Sequence, residues 1–291
     1  PPATPEPPQP PAAPAPALTM PVSVYAASID RESKTWTVDI INFEGIDRAP
    51  LDKRLAELSE KEEEEFVATF ARGDAGLPVG FAHGDPWTLI TLKGVEQRTA
   101  QGFSATVSGG SGTTHFDVDL GAPRPGARDW AVALRGHAPT AARLAVPRPI
   151  APAALAPGTL DRVVKALEPK LDDELRVHAR EAKYAEKHVK LYPGRFPGGR
   201  SHVVFVDAEV KTDEDTLEIS GVLFARPDGA VEHFATASVW GSATFFALVD
   251  IDGDGVDEVL WEDQYHEGWY LELIYWKDGK PEHRTLMGDG V

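Results

Sequence analysis

Two proline- and alanine-rich stretches set the limits of what this chain can fold into. "PPATPEPPQPPAAPAPA" opens it and "AVPRPIAPAALAPG" (145–158) interrupts it near the middle. Proline has no amide hydrogen to give to a helix or a sheet, and alanine has little apolar surface to bury, so neither stretch builds a core. The first favours extended polyproline II and reads as a spacer or a free tail. The organisation expected is a tether at 1–19, a folded region at 20–144, a linker at 145–158 and a second folded region at 159–291. Each of the two regions is expected to fold as a separate unit.

Within 20–144 the text predicts an α+β domain. "VSVYAASID" and "TWTVDIINF" alternate apolar and polar residues as strands do, with "RESK" as the turn between them. Leu51, Leu55, Leu58 and Phe66 suggest a helix, with Glu62–Glu65 on its solvated side. "WTLITLKGV", "GFSATVSG", "THFDVDLG" and "DWAVALRG" read as further strands, and "GGSGT" as a hairpin connection. The region 159–291 opens with a helix on which Thr159 stands as N-cap and Val163, Leu167, Leu171 and Leu175 form one stripe, with Pro169 a kink. From His202 onward the sequence is strand after strand. "RPDGA" and "KDGK" supply Asp-Gly hairpin signals, which predicts a mainly antiparallel β domain, a meander or a propeller-like blade. The fold class expected for the whole chain is α+β.

Composition excludes several function classes. A formal charge of −17 repels phosphate backbones, and no basic stripe interleaves with aromatics, so no nucleic-acid partner is expected. The chain has no cysteine, hence no disulfide, thiolate metal site or cysteine nucleophile. No apolar run approaches the ~20 residues of a transmembrane helix. No G-x-S-x-G elbow, P-loop, H-E-x-x-H or strand-borne G-x-G-x-x-G occurs. His83, His115, His202, His233 and His266 have no metal-ligand spacing and read as surface or packed residues.

One short stretch does carry chemistry. "FALVDIDGDGVDEVLW" (246–261) breaks a strand-like apolar run with Asp250, Asp252, Asp254, Asp257 and Glu258. Such crowding of like charge is unfavourable unless a cation lies among them. Calcium takes six to eight oxygens, and a compact loop supplies them from alternate residues. Asp250, Asp252 and Asp254 occupy positions 1, 3 and 5 of such a loop, and Gly255 at position 6 allows the turn. Val256 offers its carbonyl at position 7, and Glu258 stands at position 9. Asp257 at position 8 is expected to point away or to cap the turn. The place that an EF-hand reserves for its bidentate Glu holds Trp261, and the residues that follow the loop read as strand, so the loop is not an EF-hand.

Through Asp250, Asp252, Asp254, Gly255 and Glu258 the stretch resembles the calcium loops of FG-GAP and VCBS-type repeats, found in integrin-like and bacterial surface β-propellers. The resemblance implies a calcium-stabilised β hairpin in a cell-envelope or extracellular protein with a structural or adhesive role. One copy stands at 246–262. "YPGRFPGGRSHVVFV" (192–206) can be laid on "LVDIDGDGVDEVLWE" (248–262), which pairs Gly199 with Gly255 and Val203-Val204 with Val259-Leu260, but without the carboxylates.

The function expected is therefore non-enzymatic calcium binding, with calcium as the cofactor and a protein or glycan partner at the cell surface. A proline-rich opening of this kind is also common after the lipid-bearing cysteine of bacterial lipoproteins, so a lipid anchor upstream of residue 1 is part of the expectation. Two alternatives stand beside it. A secreted hydrolase would use calcium for stability alone and should show a pocket where carboxylates or a histidine converge away from the loop. Glu262, Asp263 and Glu267 are discounted as a carboxylate pair, because nearness in the chain sets no separation. A carbohydrate-binding module would need Trp261, Trp269 or Tyr270 on an exposed face.

Overall fold

Alternation of apolar and polar residues decides most of this molecule. The computed structural model describes residues 24–59, 66–107, 114–136, 139–171, 176, 184–211, 216–236, 241–265 and 268–290. The tether at 1–19, the Glu62–Glu65 run, the "GGSGT" connection, Leu175, His266 and Glu267 lie outside the described residues.

The first half builds one eight-stranded antiparallel sheet. Its elements are β1 (Val24–Ile29), β2 (Trp36–Ile40), α1 (Ala49–Ser59), β3 (Phe66–Phe70), β4 (Pro86–Thr91), β5 (Gly94–Thr99), β6 (Gly102–Val107), β7 (Thr114–Asp119) and β8 (Trp130–Arg135), in the spatial order β3-β6-β7-β2-β1-β8-β4-β5. The β1–β2 turn is the expected one. The Asp30 carboxylate accepts the Ser33 amide at 2.6 Å, and Lys34 takes a positive φ of 57°. Trp36, Trp87 and Phe116 are fully buried in the cluster on one face of this sheet, and Leu51 and Leu55 of α1 close over it.

β9 (Arg143–Ala145) leaves that sheet and pairs instead with a strand of the second half. After it come α2 (Pro152–Leu155), α3 (Thr159–Leu167) and a single 3-10 turn (Glu168–Lys170) that contains Pro169. Val163, Leu167 and Leu171 face the core at the predicted spacing. The cap differs from expectation. Gly158, at φ 71°, occupies the N-cap, while the Thr159 hydroxyl donates to the Ala156 carbonyl at 2.7 Å.

Two meanders follow. β10 (Val189–Pro193), β11 (His202–Lys211), β12 (Thr216–Ala225) and β13 (Val231–Thr236) make one sheet. β14 (Ser242–Asp250), β15 (Glu258–Tyr265), β16 (Gly268–Lys277) and β17 (Lys280–Gly290) make the other, with β9 added beside β14. The meanders face each other across Phe205, Phe224, Phe245 and Trp261. The opposite face of the second meander packs against the first-half sheet through Val132, Leu134, Leu260 and Leu273, so the two halves share a buried cluster.

The chain is thus mainly β, not α+β. Its longest helix among the described residues has 11 residues, against 17 antiparallel strands in three sheets. The expectation failed in part at Phe66. Leu51, Leu55 and Leu58 do lie on a helix, but it ends at Ser59, and Phe66 begins a strand whose residues alternate between buried and exposed. The helices that do form are short covers for sheet faces, because successive strands bury nearly all of the apolar surface. Among the described residues no helix is long and apolar enough to cross a membrane.

Candidate metal site

β14 ends at Asp250, β15 begins at Glu258, and the residues between them turn back sharply. Gly253 (φ 70°) and Gly255 (φ 91°) supply the left-handed backbone that other residues rarely adopt. Side chains tie the turn together. Asp252 Oδ1 accepts the Asp254 amide at 3.1 Å, Asp254 Oδ1 accepts the Val256 amide at 2.7 Å, and Asp250 Oδ2 accepts the Gly255 amide at 3.2 Å. Glu258 Oε2 accepts the Ile251 amide at 3.1 Å from across the mouth of the loop.

This folding gathers three of the four expected carboxylates; Glu258 lies outside the group, its Oε2 taken by the Ile251 amide. Oxygens of Asp250, Asp252 and Asp254 lie within 4.8 Å of one another, and the three can hold a metal ion. Asp250 is buried, Asp252 half-buried and Asp254 exposed, so the site opens on one side. Asp250 Oδ1 has no hydrogen-bond partner although it is out of contact with solvent. An unpaired buried carboxylate oxygen is costly, and a cation or an ordered water is a ligand that would offset it. Glu258 is also buried. Desolvation, reinforced by the charges of Asp252, Asp254 and Asp250, pushes its carboxyl up to about 9. Burial raises Asp252 as well. Val256 sits in the same turn through its bond to Asp254.

Asp257 does more than cap the turn. It is buried, and its carboxylate accepts Arg143 Nη2 at 2.6 Å and the Arg195 amide at 2.8 Å. Its own amide donates to the Arg195 carbonyl at 2.8 Å, and its carbonyl accepts Trp276 Nε1 at 2.9 Å. The same two arginines reach Asp250 Oδ2, at 3.6 Å from Arg143 Nε and 3.5 Å from Arg195 Nη2. Sequence reasoning missed both arginines. Arg195 had a signal, since it lies in the stretch 192–206 that aligns with the loop; Arg143 had none.

The remaining candidates fall elsewhere. Trp261 is buried between the meanders and offers no face to a sugar. Trp269 packs against the cluster shared by the halves, and Tyr270 stacks on Tyr265. Asp263, lifted by burial and by Glu272 to about 6, belongs to a separate polar group. In that group Glu272 accepts the Thr285 hydroxyl at 2.6 Å and pairs with His283 at 3.2 Å. His115 pairs with Asp39 in the first sheet, far from the loop in the strand order. Compared with known proteins, the chain matches no family model, no curated protein and no solved structure.

Proposed function

We propose that the chain is a non-enzymatic, calcium-binding protein of the cell envelope or extracellular space, in which the ion stabilises the β14–β15 hairpin for a structural or adhesive role. The observation that carries the reading is Asp250 Oδ1, a buried carboxylate oxygen without a partner, beside the carboxylates of Asp252 and Asp254. Calcium is preferred because the donors are all hard oxygens on a loop that opens to solvent, where waters complete a shell of six to eight. Magnesium demands a smaller octahedral shell and should act less strongly. The placement in the envelope and the adhesive role rest on the resemblance of the loop to FG-GAP and VCBS-type repeats.

The test is thermal unfolding in chelator and across calcium concentrations that reach the millimolar range. Binding to the folded state alone stabilises by about 2.7 kcal/mol when free calcium is a hundredfold above Kd. Asp254→Ala, at an exposed ligand position, should abolish the calcium-dependent rise in Tm, and so should Asp250→Ala. A wild-type melting curve that is the same in millimolar calcium and in chelator would leave the loop an acidic turn and end the proposal.

A further inference from the structure

The loop that gathers the carboxylates is also where the two halves of the chain meet, and it touches the crossing segment in three ways. First, Arg143 of β9 lies directly opposite Asp250 in the β9–β14 ladder, and its guanidinium spans Asp250 and Asp257. Second, a Cβ on Gly253 would lie 2.8 Å from Ala141 Cβ and 3.3 Å from the Ala142 amide nitrogen, so the turn is seated against the backbone just ahead of β9. Third, Ile251, between two of the ligand positions, is buried in the cluster that also holds Val24, Val132 and Leu144. That cluster joins the first-half sheet to the second meander.

The two oxygens of Asp250 divide the work. Oδ2 is held by the Gly255 amide and by both arginines, whereas Oδ1 is left without a partner. An ion that takes Oδ1 would leave the arginines in place, and a ligand fixed on both sides is what orients a metal site well. From these contacts we infer that the cation site is a latch between the halves: occupancy of the loop fixes β9, and with it the junction to the first-half sheet, through Arg143. The latch rests on the calcium reading given above. Arg143 is a positioning residue in it, acting through Asp250 and Asp257 and not as a ligand. Arg195 braces the same carboxylates from the β10–β11 loop and ties the site to the other meander.

Hydrogen–deuterium exchange of the full chain, with calcium chloride against chelator, tests this. In the wild type, calcium should slow exchange about tenfold or more both in the loop (251–257) and in the crossing segment (139–145). In Arg143→Gln the loop should still respond to calcium while 139–145 should not. Arg195→Gln should leave the response of 139–145 in place, and Arg143→Lys should restore part of it. A wild-type response confined to the loop would overturn the latch and leave calcium binding intact, and this comparison needs no variant to fold. An Arg143→Gln protein that still protects both segments would overturn the part assigned to Arg143. No calcium effect on exchange anywhere, with no heat of binding by calorimetry, would remove the latch and the calcium reading together.

Discussion

The β10–β11 and β14–β15 hairpins join their strands in the same register by opposite means. Both belong to four-stranded meanders, and the stretch 192–206 laid on 248–262 puts the first residue of β11, His202, on the first residue of β15, Glu258. Gly199 and Gly255 coincide and both take positive φ, at 76° and 91°. Where the second hairpin has Asp252, the first has Phe196, which is buried against Phe224 and Trp276. Where the second has Asp250, the first has Gly194, whose missing Cβ leaves room for that phenyl ring. One turn is thus filled by an aromatic side chain that needs no ligand. The other is lined by carboxylates, with Asp250 Oδ1 left unpaired although two arginines face the loop. A turn closed by packing is stable as it folds, whereas a turn lined by like charge makes its stability depend on solution conditions.

That contrast can be broken in three further ways. The largest effect is expected at Asp257, whose place in the other hairpin is held by Ser201. Asp257→Ala removes one of the two carboxylates that Arg143 and Arg195 share and leaves the Arg195 amide unpaired. It should cost about 3 kcal/mol, at the low end for a broken buried pair because both guanidiniums are about half exposed. Ser201→Ala should cost less than about 1 kcal/mol. Urea unfolding in chelator measures both, and equal losses would show that the hairpins are braced alike.

The next effect is on pH dependence. Burial raises Glu258 to about 9 and lowers His202 below its usual 6.5, so both favour the neutral form when folded. The signs are opposite. The Glu258 contribution to stability is complete below its unfolded value near 4.5 and is lost as pH rises toward 9. The His202 contribution is present above 6.5 and is lost as pH falls through its lowered folded value. Without calcium, the unfolding free energy, and Tm with it, should therefore fall between pH 6.5 and 8.5, by at most about 1.4 kcal/mol per pH unit from this one group. Glu258→Gln should remove the slope, and saturating calcium should flatten it. A slope that persists in Glu258→Gln would assign it to other groups.

The smallest effect compares two glycines with positive φ. A Cβ on Gly199 meets nothing within 4 Å, so Gly199→Ala should cost about 1 kcal/mol, the penalty of the left-handed conformation alone. Gly253→Ala adds a close approach to Ala141 and should cost about 1 kcal/mol more. Indistinguishable losses would mean that the loop is not seated against the crossing segment.

Much of this architecture was legible because it is local. Strand alternation found β1, β2, β6, β7, β8 and most of the two meanders, and Asp-Gly pairs located the β12–β13 and β16–β17 turns. The loop was legible for the same reason, since alternate carboxylates and a glycine within nine residues need no partner from elsewhere to be recognised. Where local pattern was thin, reading failed. Phe66 of β3 reads as helix, and β9 straddles the expected end of the first folded region with only Ala145 in the linker. β9, β10 and β17 carry no strand assignment, because three to five residues or a polar edge strand carry little periodicity. The α+β assignment came from giving short covering helices the weight of a layer.

What the sequence by itself determined is the kind of surface each segment must bury and the identity of the carboxylates that a single turn brings together. Only the tertiary structure decided which sheet each strand joined and how the layers stack. It also decided that Arg143 would meet Asp257, 114 residues further on, and Arg195 would meet Asp257 at a separation of 62. Alternation and turn chemistry act between neighbours in the chain, where spacing alone places the side chains. A guanidinium finds a distant carboxylate only after the hydrophobic clusters have fixed the sheets against one another.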